Sequence, residues 1–338
     1  MNTIFNEDFL VQSPDYRNVM NGTVLPGLKE RERQVTVAGY GGRSLYCVSY
    51  EADQPAGTVM IVHGFTENAL KYSELIWSLL HLHFSVIAYD QRGHGRSWRA
   101  EGLPDISVTH VDHFDEYVED LRIVCDSLLE SMPLPHLLFA HSMGGAVASL
   151  FLERYPGVFS GAVLSSPMIA PDLGGFPVWT AALLGGCARM LGRQKKNPFF
   201  MKPWSGPEDF DTSCATDPER FAWYDEIKTN RKEFRNSVPS YQWSLESIRV
   251  SGRILAPCAP EKIACPVLVC TAETDHTVLP GPQKTLAGRI PCGRQMIVRN
   301  AKHEIYRSVN GVLFPWWHET VSFFRSAAAA QNNQGDDA

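Results

Sequence analysis

The sequence contains no run of the roughly 18–20 uninterrupted apolar residues that a membrane-crossing helix needs. Its longest apolar segment, Phe176 to Leu191, is broken by Gly185 and Gly186 and carries Arg189. The opening stretch MNTIFNEDFLVQSPDYRN lacks a basic region followed by an apolar one, so no signal peptide is expected. Positive charge is not in excess. Lys and Arg number 31 against 37 Asp and Glu, a net charge of −6, which argues against nucleic acid as the main partner. None of the eight cysteines falls in a C-x-x-C pair or a Cys/His knuckle, so no metal site is expected. Several lie in apolar runs, such as Cys270 at the end of Pro-Val-Leu-Val-Cys, and read as free buried thiols in a reducing, cytoplasmic compartment. Internal repeats are absent. The closing AAAAQNNQGDDA is expected to fray.

What is present is an ordinary globular composition, 44% apolar and 20% charged over 338 residues, enough for a sizeable core. Short β-like runs alternate with helical patterns. Strands are expected at Gln34–Val37, Ser44–Tyr50, Thr58–Val62, Phe84–Tyr89, Leu137–Ala140 and Ala162–Leu164. Helices are expected at Tyr72–Leu82, at Asp112–Ser131 with its stripe of Phe114, Tyr117, Val118, Leu121, Cys125 and Leu128, and at Met143–Tyr155. The rhythm stops between Met168 and about Lys262, a segment rich in Trp, Pro and Gly. It resumes with a strand at Pro266–Cys270, a helix near Pro282–Ile290, a strand at Gln295–Val298 and a helix at Phe314–Arg325. This predicts a doubly wound, mostly parallel sheet of about eight strands with an inserted helical cap. The expected division is core at 1–167, cap at 168–261, core again at 262–326 and a disordered tail at 327–338.

The segment Leu138-Phe-Ala-His-Ser142-Met-Gly-Gly-Ala146 follows a strand and opens a helix. A serine at such an elbow is held out at the carboxyl end of the sheet. Small neighbours are needed two residues to either side. Gly144 supplies one and Ala140 the other, where the usual pattern G-x-S-x-G has glycine. A serine capping a helix without chemistry is the alternative. A nucleophilic serine needs a base, and the base an orienting acid. In this kind of fold they follow in the order Ser, Asp or Glu, His. Asp275, just past the strand ending at Cys270, fits the acid, with Glu273 nearer the strand as the other candidate. His303, just past the strand ending near Val298, fits the base, whereas His318 falls inside the final helix. Two backbone N–H donors for an oxyanion are expected at Met143 and, on the loop His63–Asn68, at Phe65. His63 is read as a brace for that loop. Arg92, His94 and Arg96 of Tyr89–Ser97 are read as ties between loops.

Four segments together carry a family resemblance. They are His63-Gly-Phe65, Asp90-x-Arg-Gly-His-Gly-x-Ser97, Ala140-His-Ser-Met-Gly-Gly145 and Ala301-x-His-Glu304. The chain resembles the monoacylglycerol lipase and lysophospholipase branch of the α/β-hydrolases from about Val35 to Phe324. The loop 64–79, the Ala-His-Ser elbow and Ser240–Ile248 are more similar to bacterial lysophospholipase. The resemblance implies an α/β-hydrolase fold and hydrolysis of one acyl chain from a glycerol-based amphiphile. It also implies no cofactor, a catalytic set of Ser142, Asp275 and His303, and oxyanion donors at Phe65 and Met143.

An acyl chain needs an apolar slot. Phe176, Val178, Trp179, Leu183, Leu184, Met190 and Leu191 lie on one candidate cap helix and either line that slot or form the cap's own core. Tyr241 and Trp243 either line the pocket near the head group or pin cap to core. Arg189, Arg193, Lys195 and Lys196 beside the apolar run leave peripheral contact with the inner membrane face open, with a solvated charge run as the plainer reading. Lysophospholipase is the leading expectation, with monoacylglycerol lipase or carboxylesterase next. A C–C hydrolase or perhydrolase would use the same three residues. A dehalogenase would need an acid where Ser142 stands. A binding protein on this fold is the reading from another class. Oligomeric state is not legible.

Overall fold

The structure, a computed structural model, describes residues 4–335. Eight strands form one sheet: β1 (Glu32–Ala38), β2 (Ser44–Tyr50), β3 (Gly57–Val62), β4 (Phe84–Tyr89), β5 (His136–His141), β6 (Gly161–Ser165), β7 (Val267–Ala272) and β8 (Gly293–Val298). Their spatial order is β1-β2-β4-β3-β5-β6-β7-β8. The pairs β1/β2 and β2/β4 are antiparallel and all others parallel. The chain reverses its direction of travel across the sheet beside β3, so the carboxyl ends of β3, β5, β6, β7 and β8 gather at one edge, where loops can build a site.

Continuous apolar runs in β3 and β5 follow from burial on both faces. Successive side chains alternate between two cores. Val59, Ile61, Leu137, Phe139, Leu268 and Cys270 face one core, and Met60, Val62, Leu138, Ala140, Val267 and Val269 face the other. The first core is closed by α1 (Ser73–His81) and by the long α8 (Asn310–Gly335), with Trp316 and Trp317 fully buried. The second is closed by α2 (Asp115–Leu128), α3 (Met143–Arg154) and α7 (Pro280–Arg289).

Between β6 and β7 the chain forms α4 (Val178–Met190), α5 (Pro218–Asn230) and α6 (Tyr241–Ile254). Helix α6 packs on the core through Trp243, Val250 and Ile254. Gln242 donates to the Asp112 carbonyl at 2.8 Å, and Glu246 accepts the Phe114 N–H at 3.0 Å. Helix α4 rests on α6 rather than on the sheet. A side chain at Gly185 would lie 3.1 Å from Leu245, so this glycine serves a close helix approach and does not break the helix. Helix α5 is bolted down by Arg220. Its guanidinium donates twice to Glu74 of α1, at 2.9 and 2.8 Å, and also to the Val11 carbonyl at 2.9 Å and to Asn310 at 2.8 Å. Glu74 in turn accepts the Tyr16 hydroxyl at 2.9 Å and the Val11 N–H at 3.0 Å.

One expectation needs correcting, and one element was not foreseen. Residues before β1 form a helical stretch from Tyr16 to Arg31, which Pro26 and Gly27 had hidden; Pro26 sits at the start of its last helix, where a missing N–H costs nothing. The tail expected to be disordered from residue 327 instead continues α8 to Gly335. Ala327 and Ala328 are buried, and a side chain at Gly161 would meet Ala327 at 2.8 Å. Residues 336–338 of that tail lie outside the described residues.

The turn from β5 into α3 depends on one missing side chain. A methyl group at Gly144 would lie 2.2 Å from the Val62 carbonyl oxygen and 2.6 Å from that of His63. Both are backbone atoms that cannot swing aside. Gly144→Ala is expected to lower the unfolding free energy by about 1–3 kcal/mol. Urea unfolding checks this, and an unchanged midpoint would show that the end of β3 can yield.

Candidate active site

Ser142 stands between β5 and α3 with φ 51° and ψ −119°, a left-handed conformation rare for a residue with a side chain. The strain is held because Ser142 N–H donates to the Ser165 carbonyl at 3.1 Å and its own carbonyl accepts Gly145 N–H at 2.8 Å and Met168 N–H at 2.8 Å. Its hydroxyl lies 2.8 Å from Nε2 of His303. Nδ1 of His303 lies 2.8 Å from Oδ2 of Asp275. The second oxygen of Asp275 accepts the Thr277 and Val278 N–H groups at 2.8 and 3.1 Å. Burial works to raise the Asp275 pKa. The His303 hydrogen bond and charge and the two backbone donors outweigh it, leaving the carboxyl below its ordinary value. An ionised Asp275 takes the Nδ1–H of His303, so Nε2 is left as the acceptor facing the Ser142 hydroxyl. Glu273 is elsewhere: it accepts the Asn300 N–H at 2.9 Å and is exposed. His318 pairs with Asp8 at 3.1 Å, away from these groups.

The loop after β3 lies against the elbow. A side chain at Gly64 would sit 3.0 Å from Cβ of Ser142, which places the next residue, Phe65, beside it. Met143 is the first residue of α3, so its N–H precedes the intrahelical ladder. His63 fastens the loop. Its Nδ1–H donates to the Gly64 carbonyl at 2.7 Å, and its Nε2 accepts the Gln91 N–H at 2.8 Å. Arg92 reaches α2, donating to Asp120 at 2.5 and 2.8 Å and to Glu116. Arg96 donates to the Tyr46 hydroxyl, and His94 stacks edge-on to Phe65 with ring centres 5.9 Å apart.

The three aromatic residues expected at the substrate are scattered. Trp243 is buried, its ring centre 4.2 Å from that of Phe65 and its N–H 3.2 Å from the Tyr117 hydroxyl, so it pins α6 to the core directly over the Phe65 loop. The Tyr241 hydroxyl accepts the Phe199 N–H at 3.2 Å and holds the segment after α4. Trp179 is 67% exposed on α4 and is not brought to Ser142.

Sequence reasoning missed a buried polar cluster behind the site. Glu67 accepts the Gly64 N–H at 2.6 Å, the Tyr72 hydroxyl at 2.5 Å, Lys71 Nζ at 3.0 Å and the Tyr306 hydroxyl. Lys71 also pairs with Glu304 at 2.6 Å, and Glu304 with Arg307 at 2.5 Å. Burial opposes ionisation of Glu67, but Lys71, His141 and the two hydroxyls hold it well below the ordinary carboxylate range. Only the spacing of Glu67 and Lys71, four residues apart, was visible as a signal.

Burial likewise works to raise the Glu304 pKa, but Lys71 and Arg307 prevail and hold it at about 2 against an ordinary 4.5. Its stabilisation is therefore complete above pH 4.5 and is lost as the pH falls towards 2. Glu304→Gln is expected to cost about 3–5 kcal/mol at neutral pH, the usual penalty for breaking a buried pair. The gap to the parent protein should close on acidification through that window. Urea unfolding across a pH series reads this directly.

Comparison with known proteins gives concordant relatives. Lysophospholipase L2 of Escherichia coli is 29% identical over 308 residues, covering 86% of each chain. The monoacylglycerol lipase of Mycolicibacterium smegmatis is 33% identical over 190 residues, 55% of this chain and 61% of that one. Among solved structures, a thermostable carboxyl esterase from Bacillus coagulans superposes with a TM-score of 0.69 at 17% identity, covering 88% of this chain and 99% of that one. The Paleococcus ferrophilus monoacylglycerol lipase superposes with a TM-score of 0.64 at 23% identity, covering 84% and 99%. These two likenesses establish the α/β-hydrolase fold. Residues 53–309, which carry the Phe65 loop, the Ser142 elbow, Asp275 and His303, match the model of the family described as serine aminopeptidase, S33, and the chain belongs to that family.

Proposed function

We propose that the protein hydrolyses the acyl ester of a single-chain glycerolipid, with a lysophospholipid as the first choice of substrate. The observation that carries the reading is the unbroken hydrogen-bonded line from Ser142 Oγ through His303 to Asp275. His303 takes the hydroxyl proton as Ser142 attacks the ester carbonyl. The Phe65 and Met143 N–H groups receive the oxyanion, aided by the N-terminus of α3. The protonated His303 then gives its proton to the departing glycerol oxygen. In the second half it withdraws a proton from water, which releases the fatty acid from Ser142. Asp275, kept ionised, holds the imidazole in the tautomer that both halves need.

The choice of lipid is supported by the lysophospholipase relatives, which align over most of the chain, whereas the monoacylglycerol lipases align over about half or less of it. Monoacylglycerol hydrolysis is the second reading, supported by the 33% identity to the Mycolicibacterium smegmatis monoacylglycerol lipase over 190 residues. Hydrolysis of a lysophospholipid and a monoacylglycerol with the same acyl chain, by the parent protein and by Ser142→Ala, tests both. The first reading expects a higher kcat/KM on the lysophospholipid and a loss of at least about 10⁴-fold in the variant. Preference for the monoacylglycerol would replace the substrate and keep the chemistry. An active Ser142→Ala would sink the chemistry itself.

Residues 168–261 act in this reading as a cap through which the substrate enters, since Ser142 is only 6% exposed beneath it. The outer part of the cap presents Phe176, Trp179, Leu183, Met190, Leu191 and Phe199 to solvent, next to Arg189, Arg193 and Lys202. Apolar side chains ringed by cations fit a peripheral contact with an anionic lipid surface. Among the described residues no helix is long and apolar enough to cross a membrane. Met190→Ser/Phe199→Ser is expected to sediment less with anionic vesicles while still cleaving a short, monomeric ester. Undiminished sedimentation would remove the lipid contact from the proposal.

A further inference from the structure

The Ser142–His303–Asp275 line leaves the buried acid Glu67 unused, and that acid bonds both the Phe65 loop and the loop that carries His303. The hydrogen-bond partners of Glu67 come from three places, and a fourth segment lies close by. Gly64 belongs to the Phe65 loop, Tyr72 to the turn into α1, and Tyr306 to the loop that carries His303. His141, whose Nε2 lies 3.8 Å away, immediately precedes Ser142. Lys71 adds a second link to the His303 loop through Glu304. Burying such a cluster is a poor way to gain stability, because a well-packed apolar core of the same volume does as well. Its geometry instead constrains direction. A peptide unit is planar and trans, so its C=O and N–H point opposite ways. His63 holds the carbonyl of Gly64, which fixes the line of the Phe65 N–H. Glu67 holds the N–H of Gly64 and so fixes the peptide before it. Gly64, the residue most free to rotate, is clamped on both sides.

We propose that Glu67 is a positioning residue for the reaction: it aims the Phe65 N–H at the developing oxyanion and couples that aim to the loop bearing His303. The inference rests on the reading of Ser142, His303 and Phe65 given above. It predicts a defect confined to the transition state.

The test is Glu67→Gln in the full-length protein, with Glu67→Asp as a second variant. The aspartate keeps a charge beside Lys71 but is one methylene too short for the Gly64 N–H. The substrate is the preferred lipid. The probe is an alkyl trifluoromethyl ketone, which adds to Ser142 to give a tetrahedral oxyanion. The expected result is a fall in kcat of roughly 10–100-fold with KM changed by less than about threefold, and a matching rise in the Ki of the ketone. Glu74→Gln, which breaks the Arg220 pair away from the site, should lower the melting temperature and leave kcat and Ki alone. A folded Glu67 variant that keeps the parent Ki overturns the proposal, whatever happens to its stability. If Glu67→Gln does not fold, Glu67→Asp is read by the same criteria. Failure of the underlying reading looks different, because Ser142→Ala would then remain active or the ketone would not attach to Ser142 of the parent protein.

Discussion

The site depends on how closely two backbones can approach. Strand β5 gives way to α3 with a single strained residue between them, and the first turn of that helix lies against the carbonyls that end β3. Only glycine at 144 permits this. The approach decides two things together. It sets Ser142 at the sheet edge, and it brings the loop after β3 alongside the start of α3, so that Phe65 and Met143 flank Ser142. The other members need only reach this fixed point. Parallel strands β7 and β8 end at the same edge, and each delivers one residue, Asp275 and His303, from the loop beyond its carboxyl end.

That arrangement explains which parts of the molecule were legible in the sequence. Strands buried on both faces leave continuous apolar runs, and Ser142 and Asp275 each stand just past one of them, whereas His303 follows the exposed edge strand β8 and was singled out by its order along the chain. Position along the chain favoured Asp275 over Glu273 but did not carry the physical distinction between them. That distinction turns on which carboxylate accepts the Thr277 and Val278 N–H groups and faces the imidazole, a matter of loop geometry. The cluster around Glu67 was invisible for a similar reason. Its contacts join residues as far apart as Glu67 and Tyr306, and nothing local marks glutamates 67 and 304 as paired with one lysine. The aromatic residues of the cap show the limit most plainly. Trp179, Tyr241 and Trp243 look alike in sequence, yet one is exposed, one ties down a loop and one is packed on Phe65. Side-chain type records that a group wants partial burial; only the packing of α4 and α6 assigns the neighbour.

The buried charges form two separate sets with different work. The Arg220–Glu74 pair joins a cap helix to α1 and to the start of the chain, and its four-sided hydrogen bonding leaves no lone donor. The Glu67–Lys71–Glu304–Arg307 set lies beside the Phe65 loop and the His303 loop. Both exchange desolvation cost for a unique geometry, which apolar packing enforces less strictly. The elements they fix, α5 and the core loops, contrast with α4 and the segment following it, where Met190 is 88% exposed and other large apolar side chains also face solvent.

The anchoring of α5 also sets an order of events during synthesis. Arg220 bonds to Val11, 209 residues earlier, to Glu74, 146 residues earlier, and to Asn310, 90 residues later. Strands β1 to β6 and their crossover helices are made from neighbouring stretches of chain and can assemble as they leave the ribosome. The full set of bonds on α5 closes only once Asn310, at the start of α8, has been made. Closing loops of that length is entropically slow, so the anchoring of α5 completes late, after the strands that flank Ser142 have been made.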